Sequence, residues 1–333
     1  MLSKIGNKNA ILEKDPLKFR HKKTIIIDSF SYGINSQFTA FESFTGKLLL
    51  VYSDIFNKLI YYDLEALKNL KKVDSQHTEI ITLIIHYKDN EKKRDLIASI
   101  SHADCVAKVW DATTFENTIA TLSGIYNYGL ITDACFSFYN NNIFLSFVNN
   151  ESDNENDKIK LINIQNEEVL TIKNINQIAL KITSFNEMNN SFIVICYNSC
   201  LKSYDVKNLT VFNEYIGNEI YTLVDMEVLL FDSRTKLIDC DNSGVIRVFD
   251  FYSNILQNKI ITSFFIDNIH SWENYLILKT NCELAEIIYL DTFETVDSIN
   301  IISGKWKPIC IIKHPNFGKS LLYQDENNIG IIY

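Results

Sequence analysis

Positive charge, glycine, proline and long apolar runs are all in short supply in this chain of 333 residues. With a formal net charge of −9, it lacks the clustered Lys and Arg of a broad nucleic-acid surface, so no nucleic-acid partner is expected. The longest apolar runs, such as Ile80–Ile85, have the length of a strand and are too short to cross a bilayer. No apolar stretch follows the opening MLSKIGNKNAILEKD, so no secretory signal is expected. Seven cysteines, an odd number without framework spacing, fit a reducing intracellular compartment, cytoplasmic or nuclear. Ten glycines and three prolines are few for a chain that must turn often. Asparagine tolerates the left-handed backbone region better than most side chains, and Asn57, Asn142, Asn198 and Asn327 are expected to fill the gap.

What is present is a hydrophobic content of 47%, enough for a large core, and a repeat. The peptide LIDCDNSGVIRVFD (Leu237–Asp250) reads as a strand, a tight turn and a strand ending in an aromatic–Asp pair. Variants recur every 41 to 52 residues: YYD at Asp63, VWD at Asp111, LIN at Asn163, SYD at Asp205, VFD at Asp250, YLD at Asp291 and IIY at Tyr333. The runs between them are β-branched and aromatic, often apolar on both faces, as in sheets stacked face to face. No long segment shows a helical period. A repeat of this size with four short strands per unit, a to d, predicts an all-β, seven-bladed β-propeller with antiparallel blades.

Unit two reads EIITLIIHY, DLIASIS, VAKVWDA and NTIATLS, whereas unit seven supplies only PICIIKH, SLLYQDE and NIGIIY. KTIIID (Lys23–Asp28) precedes unit one and belongs to no unit. Placed as the outer strand of the last blade, it closes the ring and covers an aggregation-prone edge. Burial of Ile25, Ile26 and Ile27 there would contribute roughly 1.5–3 kcal/mol each. One domain over 23–333 is expected, preceded by a flexible basic tail over 1–22.

The pattern resembles the WD-repeat family, whose units end in Trp-Asp and often begin with Gly-His. The likeness covers about residues 23–333 and is clearest in IASISHADCVAKVWD (Ile97–Asp111), where Trp110–Asp111 copies the closing pair and His77 precedes it at the expected place. The resemblance implies that His77, Ser99 or Ser101, Asp104 and Trp110 form the family's hydrogen-bonded structural network in blade two. Tyr62, Tyr204, Phe249 and Tyr333 take the Trp place elsewhere. Phe249 cannot hydrogen-bond, so the network must be missing from its blade, and aromatic packing must hold most blades. No Arg follows a WD-like pair by two residues, the mark of ubiquitin-ligase substrate receptors; Thr113 and Tyr252 stand there. The FRRG stretch of phosphoinositide-binding propellers is also missing.

The most acidic run, Asn149–Lys158, expands the b–c hairpin of blade three. Its Glu151, Asp153, Glu155 and Asp157 are candidate contacts for a basic partner, on the face where propellers of this family usually bind. The run also reads as a solvated loop, and it lacks the glycine and final Glu of an EF-hand. Tyr126, Tyr128 and Trp306, in predicted connections between blades, are candidate aromatic anchors or pack against neighbouring blades. Lys18, Arg20, His21, Lys22 and Lys23 read as a localisation signal or a lead-in to the first strand. Cys196 and Cys200 have no second pair to complete a zinc site, and FGKS (Phe317–Ser320) has Lys313 where a phosphate-binding loop needs glycine. No catalytic residue, metal or cofactor is expected.

These features converge on a non-catalytic protein–protein interaction scaffold, a subunit or adaptor of an intracellular eukaryotic complex, with proteins as partners and no membrane insertion. The alternative is a reader of short basic or modified peptides at the channel mouth, which the negative charge suits. An enzyme with a central-channel site would need carboxylates or histidines converging from several strand-a starts, and the inner strands read as mainly apolar.

Overall fold

The structure, a computed structural model, describes residues 22–25, 38–115, 118–124, 131–149, 159–172, 177–187, 190–216, 222–282, 284–300, 306–316, 318–325 and 328–333. The chain opens with β1 (Lys22–Ile25). Blade one is β2 (Thr39–Glu42), β3 (Leu48–Ser53), β4 (Lys58–Asp63) and β5 (Lys68–Asp74). Blade two is β6 (Ile81–Asp89), β7 (Arg94–Ser101), β8 (Val106–Asp111) and β9 (Thr118–Ser123). Blade three is β10 (Ile131–Tyr139), β11 (Asn142–Asn149), β12 (Ile159–Asn163) and β13 (Val169–Ile172). Blade four is β14 (Ala179–Glu187), β15 (Asn190–Tyr197), β16 (Leu201–Asp205) and β17 (Thr210–Tyr215). Blade five is β18 (Leu223–Phe231), β19 (Arg234–Asp241), β20 (Val245–Asp250) and β21 (Ile255–Ile261). Blade six is β22 (Ile266–Trp272), β23 (Tyr275–Thr280), β24 (Leu284–Tyr289) and β25 (Glu294–Asn300). Blade seven has β26 (Trp306–His314), β27 (Gly318–Asp325) and β28 (Asn328–Ile332), and β1 joins it as the fourth strand.

Seven antiparallel four-stranded sheets therefore form a seven-bladed β-propeller, with no helix among the described residues. β1 pairs with β28 from Lys22↔Ile332 to Ile25↔Ile329, so pairing starts one residue before the expected Lys23. Ile26, Ile27 and Asp28 of the expected strand lie outside the described residues. Gly330 sits opposite Thr24 in this closing ladder, and a Cβ there would stand 2.1 Å from the Tyr323 ring. Glycine lets that fully buried ring lie across the strand.

Burial follows radial position. Strand b of blade one, LLLVYS, is buried throughout, whereas its outer strand KNLKKVD is largely exposed. Apolar side chains on both faces of the middle strands meet the next blade, as Leu83, Ile100, Phe136 and Leu145 do between blades two and three. Each such side chain fully removed from water contributes about 1.5–3 kcal/mol.

The repeated acid has a local cause. Asp63 Oδ1 accepts the backbone N–H of Glu65 and Ala66, Asp111 Oδ1 that of Thr113, and Asp205 Oδ1 that of Lys207, at 2.8–3.0 Å. Each carboxylate thus caps the c–d turn. Four residues after the cap the backbone enters the left-handed region, at Leu67, Phe115, Glu167, Leu209, Asn254 and Phe293. Asparagine supplies only part of the missing glycine: Asn57, Asn140, Asn141 and Asn254 have positive φ, but Asn142 and Asn198 do not. Leu67, Phe115, Leu209 and Phe293 pack against interblade clusters instead, which offsets the strain. This spacing also corrects the blade-six alignment. Tyr289, not Asp291, holds the closing position, because Phe293 N–H bonds Tyr289 O at 2.7 Å and Tyr275 pairs with Tyr289.

Candidate functional site

His77, Ser99, Asp104 and Trp110 meet in blade two. Trp110 Nε1–H donates to Ser99 Oγ at 2.8 Å, Ser99 Oγ lies 3.0 Å from His77 Nε2, and His77 Nδ1 lies 2.9 Å from Asp104 Oδ2. One proton arrangement satisfies all three contacts: indole to hydroxyl, hydroxyl to a neutral imidazole, and Nδ1–H to the carboxylate. Burial lowers the His77 pKa, against the opposing pull of Asp104. Asp104 Oδ1 also accepts Val106 N–H at 2.9 Å, fixing the b–c hairpin. The alternative Ser101 is buried, and its Oγ has no partner among the described residues.

In the channel, Asp133, Lys181, Asp225 and Asn268 occupy one level on strand a of blades three to six. Each resumes pairing after a β-bulge. Asp133 Oδ2 accepts Ile182 N–H of the next blade at 3.0 Å, and Asp225 Oδ2 accepts Ile269 N–H of its next blade at 3.1 Å. Lys181 Nζ is 3.5 Å from Asp225 Oδ1, and Asn268 donates to Asp225 Oδ2. Burial pushes the Asp133 pKa up to about 6, with Lys181 and Ile182 N–H opposing. Burial raises Asp225 likewise, and its carboxylate raises Lys181. Further along the channel Glu227 meets His270 Nδ1 at 3.3 Å. Charge converges on the inner strands more than their mainly apolar reading implied. Yet both carboxylates already accept backbone N–H groups, so they staple blade to blade rather than stand as free acids or bases.

Strand direction puts the b–c hairpins and d–a connections on one face, the a–b and c–d hairpins on the other. Of fifteen exposed large apolar side chains among the described residues, six lie in connections of the first face: Ile55, Phe56, Ile80, Ile178, Ile216 and Phe265. Tyr252 lies in a c–d turn of the second face and Leu230 near the end of strand a beside it, and the other seven are on outer strands. Phe56 is 67% exposed yet held in place, because Asp54 Oδ1 accepts the N–H of Phe56 and Lys58 at 2.9 Å.

Glu151, Asp153, Glu155, Asp157, Tyr126 and Tyr128 lie outside the described residues. Trp306, expected in a connection, is the first residue of β26. The channel group and the apolar face were missed in sequence. Their only early signal is a charged residue at matching strand-a positions of successive units, in TDA, LKI and VDM. Among the described residues no group of His, Cys, Asp and Glu is placed to hold a metal ion, and no helix is long and apolar enough to cross a membrane.

No family model and no curated protein matches the chain. Among solved structures, the crystal structure of Chaetomium thermophilum Raptor is similar, with a TM-score of 0.67 over 89% of this chain at 12% identity. The chain spans 28% of that protein's length. At such identity the likeness is one of fold, a β-propeller. With 1555 chains of known structure resembling this one, the fold alone selects no function.

Proposed function

We propose that this chain is a non-catalytic protein-interaction scaffold of the WD-repeat type, a subunit or adaptor of an intracellular complex. Its partners dock on the face formed by the b–c hairpins and d–a connections. The observation that carries this reading is the apolar character of that face, six exposed large side chains in its connections against two at or beside the turns opposite. Exposed apolar and aromatic residues at such density mark interaction sites. The fold likeness to Raptor and the hydrogen-bonded network of blade two support the WD-repeat assignment.

Co-purification of the tagged full chain from native lysate, followed by mass spectrometry, tests it. We expect a stoichiometric partner whose recovery falls at least tenfold in the Phe56→Glu/Ile216→Glu/Phe265→Glu variant, with the melting temperature unchanged. A chain that purifies alone, or a partner indifferent to the triple variant, would overturn the reading. The channel-mouth reading has less support, since Asp133 and Asp225 are already engaged by neighbouring blades.

A further inference from the structure

The face of the a–b and c–d hairpins is divided by charge. At its turns and adjoining strand ends, blades seven, one and two expose Lys313, Lys47, Lys68, Lys88, Lys92 and Lys93 against Glu42, Glu65 and Glu91 among the described residues. On blades three to six the exposed acids are Glu167, Glu168, Asp232, Glu273, Asp291 and Glu294, against Lys207 and Arg234. Blade seven packs on blade one through Leu322 and Leu50, so each set fills one continuous arc. The signs on a soluble surface are ordinarily interspersed. Here a basic arc and an acidic arc share one face of a chain whose net charge is −9.

Neither arc is neutralised within the molecule. Lys47, Lys68, Lys92, Lys93 and Lys313 form no ion pair with a described residue, and nor do Glu167, Glu168, Asp232 and Glu294. Both arcs stand on ordered turns. The Lys88 ammonium lies 4.8 Å from the centre of the Phe44 ring and donates to Glu42 O at 3.5 Å. Phe44 is fixed in turn by its N–H, which Asp95 Oδ2 accepts at 2.8 Å. The hairpin of Lys92 and Lys93 is pinned by Asp89, whose Oδ1 accepts Lys92 N–H at 3.1 Å and whose Oδ2 meets Arg94 Nε at 2.9 Å. Glu167 and Glu168 follow the turn that Asn163 caps, its Oδ1 accepting Gln165 N–H at 2.9 Å. Charges held on turns of this kind lose little freedom when a partner arrives.

We infer that this face binds a second copy of the chain. A uniformly acidic partner would gain on the basic arc and be repelled by the other, and a uniformly basic one the reverse. A surface with both signs in matching arcs answers both, and this chain presents one. A two-fold axis lying in the face, between the arcs, sets the basic arc of each copy on the acidic arc of the other and makes every contact twice, as an isologous interface requires. Lys92 and Lys93 of blade two then face the side of the other copy where Glu167 and Glu168 stand. The same contact covers Leu230 and Tyr252, exposed in blade five. The net charge of −9 opposes the pairing of copies, but it is spread over the whole chain and is screened at about 0.1 M salt, where the Debye length is about 10 Å. Contacts between facing side chains lie well inside that distance. This face is opposite the docking face proposed above, and the inference does not depend on that reading.

Sedimentation velocity of the full chain at ionic strengths of about 0.1 M and about 1 M tests it. We expect a dimer at the lower, with a dissociation constant at least tenfold weaker at the higher, where facing charges are screened as well. Lys92→Glu/Lys93→Glu and Glu167→Lys/Glu168→Lys, all at exposed positions, should each leave a monomer of unchanged melting temperature. An equimolar mixture of the two should recover the dimer, because each reversed arc then meets its complement. The Phe56→Glu/Ile216→Glu/Phe265→Glu variant should dimerise as the unaltered chain does. A chain monomeric at the lower ionic strength, a dimer that survives either double reversal, a mixture that stays monomeric, or loss of the dimer in the triple variant would each overturn the inference.

Discussion

Ser99 in blade two and Asp239 in blade five hold the same place on strand b, two residues past the partner of Trp110 and of Phe249 respectively. Across the ladder stand Lys108 and Arg247. In blade two the indole supplies a donor to Ser99, and Lys108 turns away to Gln76 O at 2.7 Å. In blade five the ring has no donor, and the cross-strand cation takes its place. Arg247 Nε bonds Asp239 Oδ1 at 2.8 Å and Nη1 bonds Asp241 Oδ2 at 2.9 Å, all three side chains buried. A buried carboxylate such as that of Asp239 must be paired, and here Arg247 supplies the partner. Loss of the Trp thus shifts the bridge one step along the ladder and turns it from a neutral chain into an ion triad.

If that substitution of one chemistry for another is right, the triad is the costlier to break. Arg247→Met removes the cation that Asp239 and Asp241 share and should destabilise by about 3–5 kcal/mol in denaturant unfolding. A loss no greater than that of Trp110→Phe would break the comparison. Gly244 comes next. It forms the tight b–c turn of blade five at φ +91°, and a Cβ there would stand 2.3 Å from Phe264 O. Gly244→Ala should cost about 1–3 kcal/mol. Trp110→Phe gives blade two the aromatic of blade five without its ions. It should cost about 1–2 kcal/mol, since Ser99 keeps His77 as a partner. Adding Ser99→Ala to it should cost less than that change does alone.

The repeat was legible because each unit rebuilds the same capped turn, and the ring closure because unit seven lacked a strand while one strand had no unit. Blade two was legible through Trp110, whose donor needs a Ser and a His within reach. Blade five was not, because an Asp opposite an Arg looks like an ordinary cross-strand pair until burial is known. Blade six misled because its a–b hairpin is shorter, so a chance YLD two residues late imitated the closing pair. Nor could the channel group be read. Asp133, Lys181 and Asp225 are each one charge in an apolar strand, and they become neighbours only when the blades close side by side.

Acidification separates the two blades by sign and window, with the smallest effect of the set. His77 is held below its ordinary value of 6.5, chiefly by burial. The unfolded imidazole therefore takes up a proton first as pH falls, and the stability carried by the blade-two network is lost below 6.5. For Asp241, burial pushes the carboxyl up, but hydrogen bonds from Ser243, Val245 N–H and Arg247 outweigh it and hold the pKa below 3.8. Its contribution is complete above 3.8 and is lost only as pH falls through the lower folded value. Hydrogen exchange, corrected for the intrinsic rate, should show β7 and β8 losing protection in mildly acidic solution while β19 and β20 keep theirs. The channel carboxyl Asp133 runs the other way. With its folded pKa raised to about 6 from 3.8, the unfolded chain releases its proton first, so its contribution declines as pH rises between those values. Asp133→Asn should remove that decline and leave the acid sensitivity of β7 and β8 in place. Equal loss of protection in blades two and five on mild acidification would mean that the two bridges are not chemically distinct.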